Sequence, residues 1–233
     1  MIDVDAHLGL RERKKLRTRR LIAETARRLF VERGFEAVPV AEVAREAEVS
    51  EATVFNYFPT KEDLVFHGME LFEDELLEAV RERPAGQSIV HAFERFVLQP
   101  RGFLAANDEA SASSLIAVSR MLADSPALQA REREILARYA ASLATVIAED
   151  TGAAADDLRP QVVAHALIGT HRSLIDFVRR RLLTGPVDRR RLARDVQRHG
   201  RAALALLEAG LADYGCRPAG GTGTTPATAP PRS

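Results

Sequence analysis

The stretch VSEATVFNYFPTKEDLV, residues 49–65, sets polar Thr53, Asn56 and Tyr57 among apolar neighbours, then breaks at Pro59-Thr60-Lys61 before a second helical run. Upstream, Val40, Val43, Ala44 and Ala47 recur at helical spacing, and Glu48-Val49 makes a tight joint between the two segments. Two short helices across such a joint are the pattern of a helix-turn-helix, expected over about 39–58. Within 50–58, helical spacing turns Val54, Phe55 and Phe58 toward neighbouring helices and leaves Ser50, Glu51, Thr53, Asn56 and Tyr57 outward. Those outward groups are of the kind that hydrogen-bond phosphates and base edges. Ser50 is a good N-cap, so the helix opens with free N–H groups and a positive dipole end, which favours a nearby phosphate. Lys61, expected in the first turn of the next helix, works against that helix's dipole, and an external anion would account for it.

The charge distribution points the same way. Over 11–35 ten basic residues face three acidic ones, a net +7, whereas over 36–58 Arg45 stands alone against five glutamates, a net −4. A basic arm therefore leads into an acidic reading unit. The arm would supply most of the sequence-independent attraction to phosphates, and Glu51 near the tip could accept from a cytosine amino group.

Around this unit the sequence reads as all-α. Period-3.6 patterns run almost end to end, broken by Gly, Pro and Asp/Ser clusters, with no strand alternation. The first helix is expected over 10–33, with Leu21, Ile22, Thr25, Ala26, Leu29 and Phe30 as one stripe and Gly34 as a left-handed cap. Further helices are expected over 40–47, 50–58, 61–83, 88–106, 109–122, 126–150, 157–183 and 188–214. Pro100-Arg101-Gly102 is expected to kink or split the fifth of these beside Phe96. The 157–183 segment carries two apolar stripes, one of Val162, Ala166, Gly169, Ser173 and Phe177, the other of Val163, Leu167, Thr170, Leu174 and Val178. One can pack on its own domain and leave the other for a partner. The expected division is a three-helix DNA-binding domain at 1–62, a larger helical domain at 63–215 and a Gly/Pro/Thr-rich disordered tail at 216–233.

Composition narrows the class. The 233 residues are 46% hydrophobic, ample for a core, and carry no net charge. A single cysteine, Cys216, excludes an internal disulfide framework and a cysteine-rich metal site. The N-terminus lacks the charge pattern and apolar run of a signal peptide, and no window is apolar enough to span a membrane, so a cytoplasmic protein with no membrane partner is expected. The histidines show no HExxH spacing, and neither a Gly-rich phosphate loop nor a nucleophile elbow is present. No enzymatic activity, metal or cofactor is expected.

Residues 21–65, LIAETARRLFVERGFEAVPVAEVAREAEVSEATVFNYFPTKEDLV, resemble the N-terminal domain of TetR-family transcriptional regulators. The resemblance rests on Ala-xx-Leu-Phe followed by Gly-Phe, on Val-Ser-xx-Thr and on Tyr-Phe-Pro-xx-Lys-Glu-xx-Leu. It implies a homodimer that presents third-helix recognition to the major groove, with a divergent C-terminal ligand domain. By matching positions, Thr53, Asn56, Tyr57 and Lys61 would contact DNA, the last two mainly at phosphate. Glu51 and Ala52 fall where base-reading side chains stand, and Arg17, Thr18 and Arg19 fall at the start of the first helix. Two positions depart from the pattern: Pro39 replaces the usual Thr that caps the second helix, and Glu48 replaces Gly in the turn. A non-Gly residue with positive φ costs about 1 kcal/mol.

In the C-terminal part the resemblance is architectural. The last two long helices look like a pair that dimerises as a four-helix bundle, with Val163, Leu167, Leu174, Val178, Leu204 and Leu207 as candidate interface residues. Candidate ligand-pocket residues are Phe93, Phe96, Phe103, Arg120, Met121, Tyr139, His165, His171 and Asp176. The implied function is a homodimeric repressor released from a palindromic double-stranded DNA operator by a small, often hydrophobic effector. The alternative is a helical interaction or scaffold protein, or a non-specific DNA binder without an effector.

Overall fold

The computed structural model describes residues 9–100 and 109–210. Among them the regular structure is helical throughout. Helix α1, Leu10–Arg33, buries Ile22, Ala23, Ala26, Leu29 and Phe30, and Phe30 meets Phe35 edge-on with centroids 5.1 Å apart. Leu21, expected on this stripe, instead points to solvent, because Ala23 and Thr25 occupy the contact with the neighbouring helices. Gly34 has a positive φ of 89°, as a chain reversal requires, but its ψ of 150° is extended and not the left-handed cap expected.

Helices α2, Val40–Glu46, and α3, Glu51–Tyr57, form the helix-turn-helix. Pro39 precedes α2 with extended backbone and no side-chain cap, so the first amides fall back on its carbonyl. At the turn Glu48 adopts φ 55°, the only positive φ of a non-glycine among the described residues. Its N–H donates to the Arg45 carbonyl and that of Val49 to Ala44, so the left-handed step closes the end of α2. The cost of about 1 kcal/mol is accepted in return for the angle between the helices.

The helix expected over 61–83 is broken. Thr60 and Asp63 cap each other reciprocally, the Thr60 amide and hydroxyl donating to Asp63 Oδ2 at 3.0 and 2.9 Å, and this starts a single 3-10 turn, Glu62–Leu64. The chain then bends to bury Leu64 and Phe66, and Gly68, with a left-handed φ of 91°, starts helix α4, Met69–Arg81. Helix α5, Ile89–Val97, is capped by Ser88 and ends nine residues short of the expected 106. Pro100 explains the stop: it lacks an N–H and disfavours helical backbone at the residue before it. The expected remainder, with the Pro-Arg-Gly kink beyond Pro100 and Phe103, lies outside the described residues.

Helices α6, Glu109–Asp124, α7, Pro126–Thr151, and α8, Arg159–Leu183, follow, the last two each with Pro in the first turn, where its missing N–H costs nothing. Helix α9, Arg189–Glu208, stops short of the expected 214 because Gly210 takes φ 78°. Residues 211–214 and the expected disordered tail at 216–233 lie outside the described residues.

One apolar core runs from Ile22 on α1 to Leu204 on α9 and joins the helix-turn-helix to the C-terminal helices. Helix α7 is its spine. It lies antiparallel to α8, Glu132 near its start pairing with Arg179 near the end of α8. It runs parallel to α4 and is stitched to that segment along its length: Arg131 to Asp63, Tyr139 to the Met69 carbonyl, Ser142 to Glu73, and Asp150 to Arg83. Helix α9 packs on α5 through Gly200, where a Cβ would stand 2.3 Å from Leu98 Cδ2.

The two stripes of α8 sort in the opposite sense to the candidate interface. Leu167, Leu174 and Leu204 are buried within their own chain, and Val163, Val178 and Leu207 pack against the core. Much of their surface is therefore spent inside their own chain. It is the other stripe that faces solvent, with Val162 64% exposed and Gly169 and Ser173 beside it. Both stripes satisfied the same periodicity; α7 and α9 cover the one with the larger side chains.

Candidate nucleic-acid interface

Helix α3 is held by Val54 and Phe58, both buried, at one end of the bundle. Its outer surface carries Ser50, Glu51, Ala52 and Asn56, all exposed, with Thr53 and Tyr57 at the rim, partly buried. Ser50 caps the helix: its hydroxyl accepts from the Thr53 amide at 3.1 Å and pairs with the Thr53 hydroxyl at 2.8 Å. These two hydroxyls are therefore engaged with each other, and Glu51 in the first turn complements the dipole. Phe55, expected inward, is 46% exposed. A seven-residue helix crossed by α2 on one side can bury only one narrow stripe, and Val54 with Phe58 fill it. Sequence reasoning thus missed an exposed aromatic on this surface; its one signal was three apolar residues competing for two inward places.

The flanking cations divide into engaged and exposed. Lys61, at the start of the 3-10 turn, sits 4.4 Å from the centroid of Phe35 and 5.8 Å from that of Phe30. Its unfavourable place against a dipole is thus offset by ring faces, and no external anion is required to account for it. Arg19 lies over the Phe58 ring at 5.3 Å and is partly buried. Thr18 donates back to the Lys14 carbonyl at 3.0 Å. Arg17 is exposed, as is every residue from Arg11 to it.

The acidic character of α2 is answered from α1. Arg33 reaches Glu42 at 2.5 Å, Arg45 adds 3.3 Å, and Glu46 lies within 3.6 Å of Arg28 and 3.2 Å of Arg45. Chiefly the Arg33 hydrogen bond holds the Glu42 carboxyl below its ordinary range. Two of the basic residues counted toward the arm, Arg28 and Arg33, are thereby committed inside the domain, which leaves the positive surface at the leading end of α1.

The candidate pocket residues do not converge on one site. Phe93, Phe96 and Tyr139 are buried in the core, Phe72 lying tilted against Phe96 at 5.2 Å and stacked on Tyr139 at 5.9 Å. Arg120 and Met121 line a cleft against Phe30 and Phe35, where Ser125 also donates to Glu36 at 2.9 Å. His165 is exposed, its Nδ1 2.8 Å from the Gln161 carbonyl oxygen, and Asp176 lies 4.0 Å from both Arg172 and Arg179 in a separate cleft against α6 and α7. Only His171 reaches the apolar cleft between α5, α6, α8 and α9, a space of about 240 Å³ whose walls include Val97, Val118, Leu122, Leu174, Val178 and Val196. Residues from four helices make it, and no local pattern could have grouped them.

Among the described residues no three of His, Cys, Asp and Glu gather so as to hold a metal ion, and no helix is long and apolar enough to cross a membrane. A helix-turn-helix under a larger helical body defines the class as a DNA-binding regulator of the tetR type. Residues 22–67 match the family model for bacterial regulatory proteins of the tetR family, and residues 101–212 match that for the MftR C-terminal domain. The chain belongs to the tetR family and is a DNA-binding transcriptional regulator. It is 28% identical over 158 residues to the transcriptional regulator TcmR of Streptomyces glaucescens, spanning 66% of this chain and 70% of that one. It is 26% identical over 164 residues to the protein named as mycofactocin biosynthesis transcriptional regulator MftR of Mycobacterium tuberculosis, spanning 67% and 77%. The solved structure of NalD, secondary repressor of the MexAB-OprM multidrug efflux pump in Pseudomonas aeruginosa, shares the fold: 17% identity, 80% of this chain and 96% of that one, TM-score 0.50.

Proposed function

We propose that the protein is a cytoplasmic, homodimeric repressor that binds a pseudo-palindromic operator and is released from it by a small-molecule effector. The observation that carries this reading is α3, which is anchored by Val54 and Phe58 and turns Glu51, Ala52, Phe55 and Asn56 to solvent as a group. On this reading residues 1–62 form the DNA-binding unit and 63–215 the effector and dimerisation unit. Asn56 and Glu51 meet base edges, and Phe55 offers an apolar contact of the kind a thymine methyl takes. Ser50, Thr53, Tyr57 and Lys61 position the helix against phosphates, while Arg17, Thr18 and Arg19 meet the backbone from α1. A dimer axis imposes operator symmetry, with half-sites in successive major grooves. The solvent-facing α8 stripe around Val162 supports dimerisation through α8 and α9.

Release needs a path from effector to α3. Arg131 and Glu132 are neighbours on α7: the first bonds Asp63 in the turn after α3, the second bonds Arg179 at the wall of the apolar cleft. An effector in the cleft that shifts α8 would therefore move the element that seats the reading head, and only differential binding to the two arrangements changes operator affinity.

The test is selection of bound sequences from random duplex DNA, with Tyr57→Ala alongside and at two salt concentrations. An inverted repeat that Tyr57→Ala loses is the expected result. Recovery of no motif overturns the reading in favour of a non-specific binder or a scaffold. An effector that binds tightly yet leaves operator affinity unchanged would refute the release mechanism.

A further inference from the structure

Positive charge along the chain has a second maximum far from the arm. Residues 179–201 hold nine arginines against Asp188 and Asp195, a net +7 that equals the value over 11–35, in a chain with no net charge. Part of this charge is spent. Arg179 grips Glu132, Arg198 bonds Asp195 at 2.8 Å, and Arg201 lies 3.8 Å from Glu94. Asp188 caps α9, accepting from the Arg191 amide at 3.1 Å; chiefly that bond, with smaller help from the charges of Arg194 and Arg190, holds its carboxyl below the ordinary range. Arg181, Arg191 and Arg194 make no ion pair among the described residues. With Arg198 they surround an open cleft between α8 and α9, which Phe177 and His199 also line and in which Asp195 is the one acid.

Placement makes this cluster costly in isolation. Arginines in the last turn of α8 suit the negative end of its dipole, but Arg189, Arg190 and Arg191 fill the first turn of α9, where the dipole is positive and no acid stands. Arg191, Arg194 and Arg198 follow one another at helical spacing, so like charges are neighbours along the cleft. An anion from outside the chain would answer them.

The cluster lies at the end of the bundle that carries the reading head. Asp63, in the turn after α3, bonds Arg131 near the start of α7, and the next residue, Glu132, bonds Arg179 near the end of α8. Arg181 and the start of α9 are therefore at that end too. Helix α9 finishes at the opposite one, where Glu208 accepts from Ser88 beside Arg83 and the end of α7. Phe177 also continues the stripe of Val162, Ala166, Gly169 and Ser173 toward the cleft. On the proposed dimerisation through α8 and α9, two such clusters stand near the two-fold axis between the reading heads, and they repel until an anion joins them.

We propose that Arg181, Arg191 and Arg194 form a second DNA-binding surface, which engages the phosphate backbone at the centre of the operator, between the half-sites read by α3. Guanidinium forks take two phosphate oxygens at once and make no demand on base sequence. The surface thereby supplies part of the attraction to phosphate that the acidic reading unit lacks. Its central placement rests on the regulator reading, whereas its attraction for duplex DNA does not.

The experiment compares the full chain with Arg191→Ala plus Arg194→Ala by fluorescence anisotropy over a salt series. On random duplex DNA the alanine pair should lower the slope of log affinity against log salt by about 2 per protomer and weaken binding by about tenfold or more at roughly 0.1 M salt. Arg191→Lys plus Arg194→Lys, which keeps the charge, should recover most of the slope. A selected operator made with uncharged methylphosphonates at its central phosphates should bind the wild type more weakly than the unmodified operator does, and the alanine pair should not distinguish the two duplexes. Should the alanine pair fail to fold, the methylphosphonate comparison on the wild type decides alone. An unchanged slope in the alanine pair, or a wild type indifferent to central methylphosphonates, overturns the proposal. ATP that binds the wild type but not the alanine pair, with the DNA slope unchanged, would assign the cleft to a nucleotide instead. Selection that yields no operator while the alanine pair still lowers the slope would sink the regulator reading and uphold the surface as a DNA-binding one.

Discussion

Arg131 on α7 donates to Asp63 Oδ1 at 2.8 Å while Oδ2 of the same carboxylate accepts both the amide and the hydroxyl of Thr60. One carboxylate thus ends the break after α3 and binds it to the spine of the C-terminal helices. Both side chains are largely shielded, 27% and 14% exposed, so the pair is worth more than a surface ion pair. Asp63→Asn and Arg131→Gln should each destabilise, with a coupling energy of about 1 kcal/mol in the double-mutant cycle by urea unfolding. Strict additivity would show that the contact does not hold the turn.

Arg17 and Arg19 differ in what they do besides carry charge. On the proposed reading, alanine at either position weakens binding to operator and random DNA alike and lowers the salt slope by about 1. Arg17→Ala should leave the melting temperature unchanged. Arg19→Ala should also cost about 1 kcal/mol of stability, because its guanidinium covers the Phe58 ring at 5.3 Å. Equal melting temperatures for the two variants would contradict this assignment.

Gly200 is small because α9 must approach Leu98. An alanine Cβ would sit 2.3 Å from Leu98 Cδ2 and 3.3 Å from Leu174 Cδ1, so Leu98 cannot yield freely toward α8. Gly200→Ala should destabilise by about 1 kcal/mol, overpacking outweighing the gain in helix propensity. In a Leu98→Ala background the sign should reverse. Chemical denaturation of the four proteins decides it.

His171 makes stability depend on pH. Its folded pKa of about 4 lies below the ordinary 6.5, so between these values the unfolded chain binds more protons and folding weakens as the pH falls. The contribution is complete above about pH 6.5, is lost progressively down to about pH 4 and amounts to no more than about 3 kcal/mol. Glu132, itself paired with Arg179, also acts on this ring, so the comparison is made against His171→Phe, whose melting temperature should fall less steeply through that window. Parallel curves would remove His171 from the account.

What residues 49–65 determine alone is local. Ser50 caps a short helix whose period buries Val54 and Phe58, and a tight joint at Glu48 separates it from α2; these follow from spacing and capping within a few residues, and they sufficed to place the helix-turn-helix. Pro100 was visible in the sequence as a breaker, whereas the break before Gly68 was not, because it depends on Leu64 and Phe66 having a core to enter. Which of two equally periodic stripes on α8 is inward was undecidable until α7 and α9 lay across it. Phe55 and Leu21 face water for a similar reason: a helix offers several apolar residues, and the shape of its neighbours selects among them. The cleft at His171 is the extreme case, assembled from α5, α6, α8 and α9 across about a hundred positions of chain. Periodicity and capping act over one or two turns and are written in the sequence; burial is a competition between distant surfaces, and only the folded chain decides it.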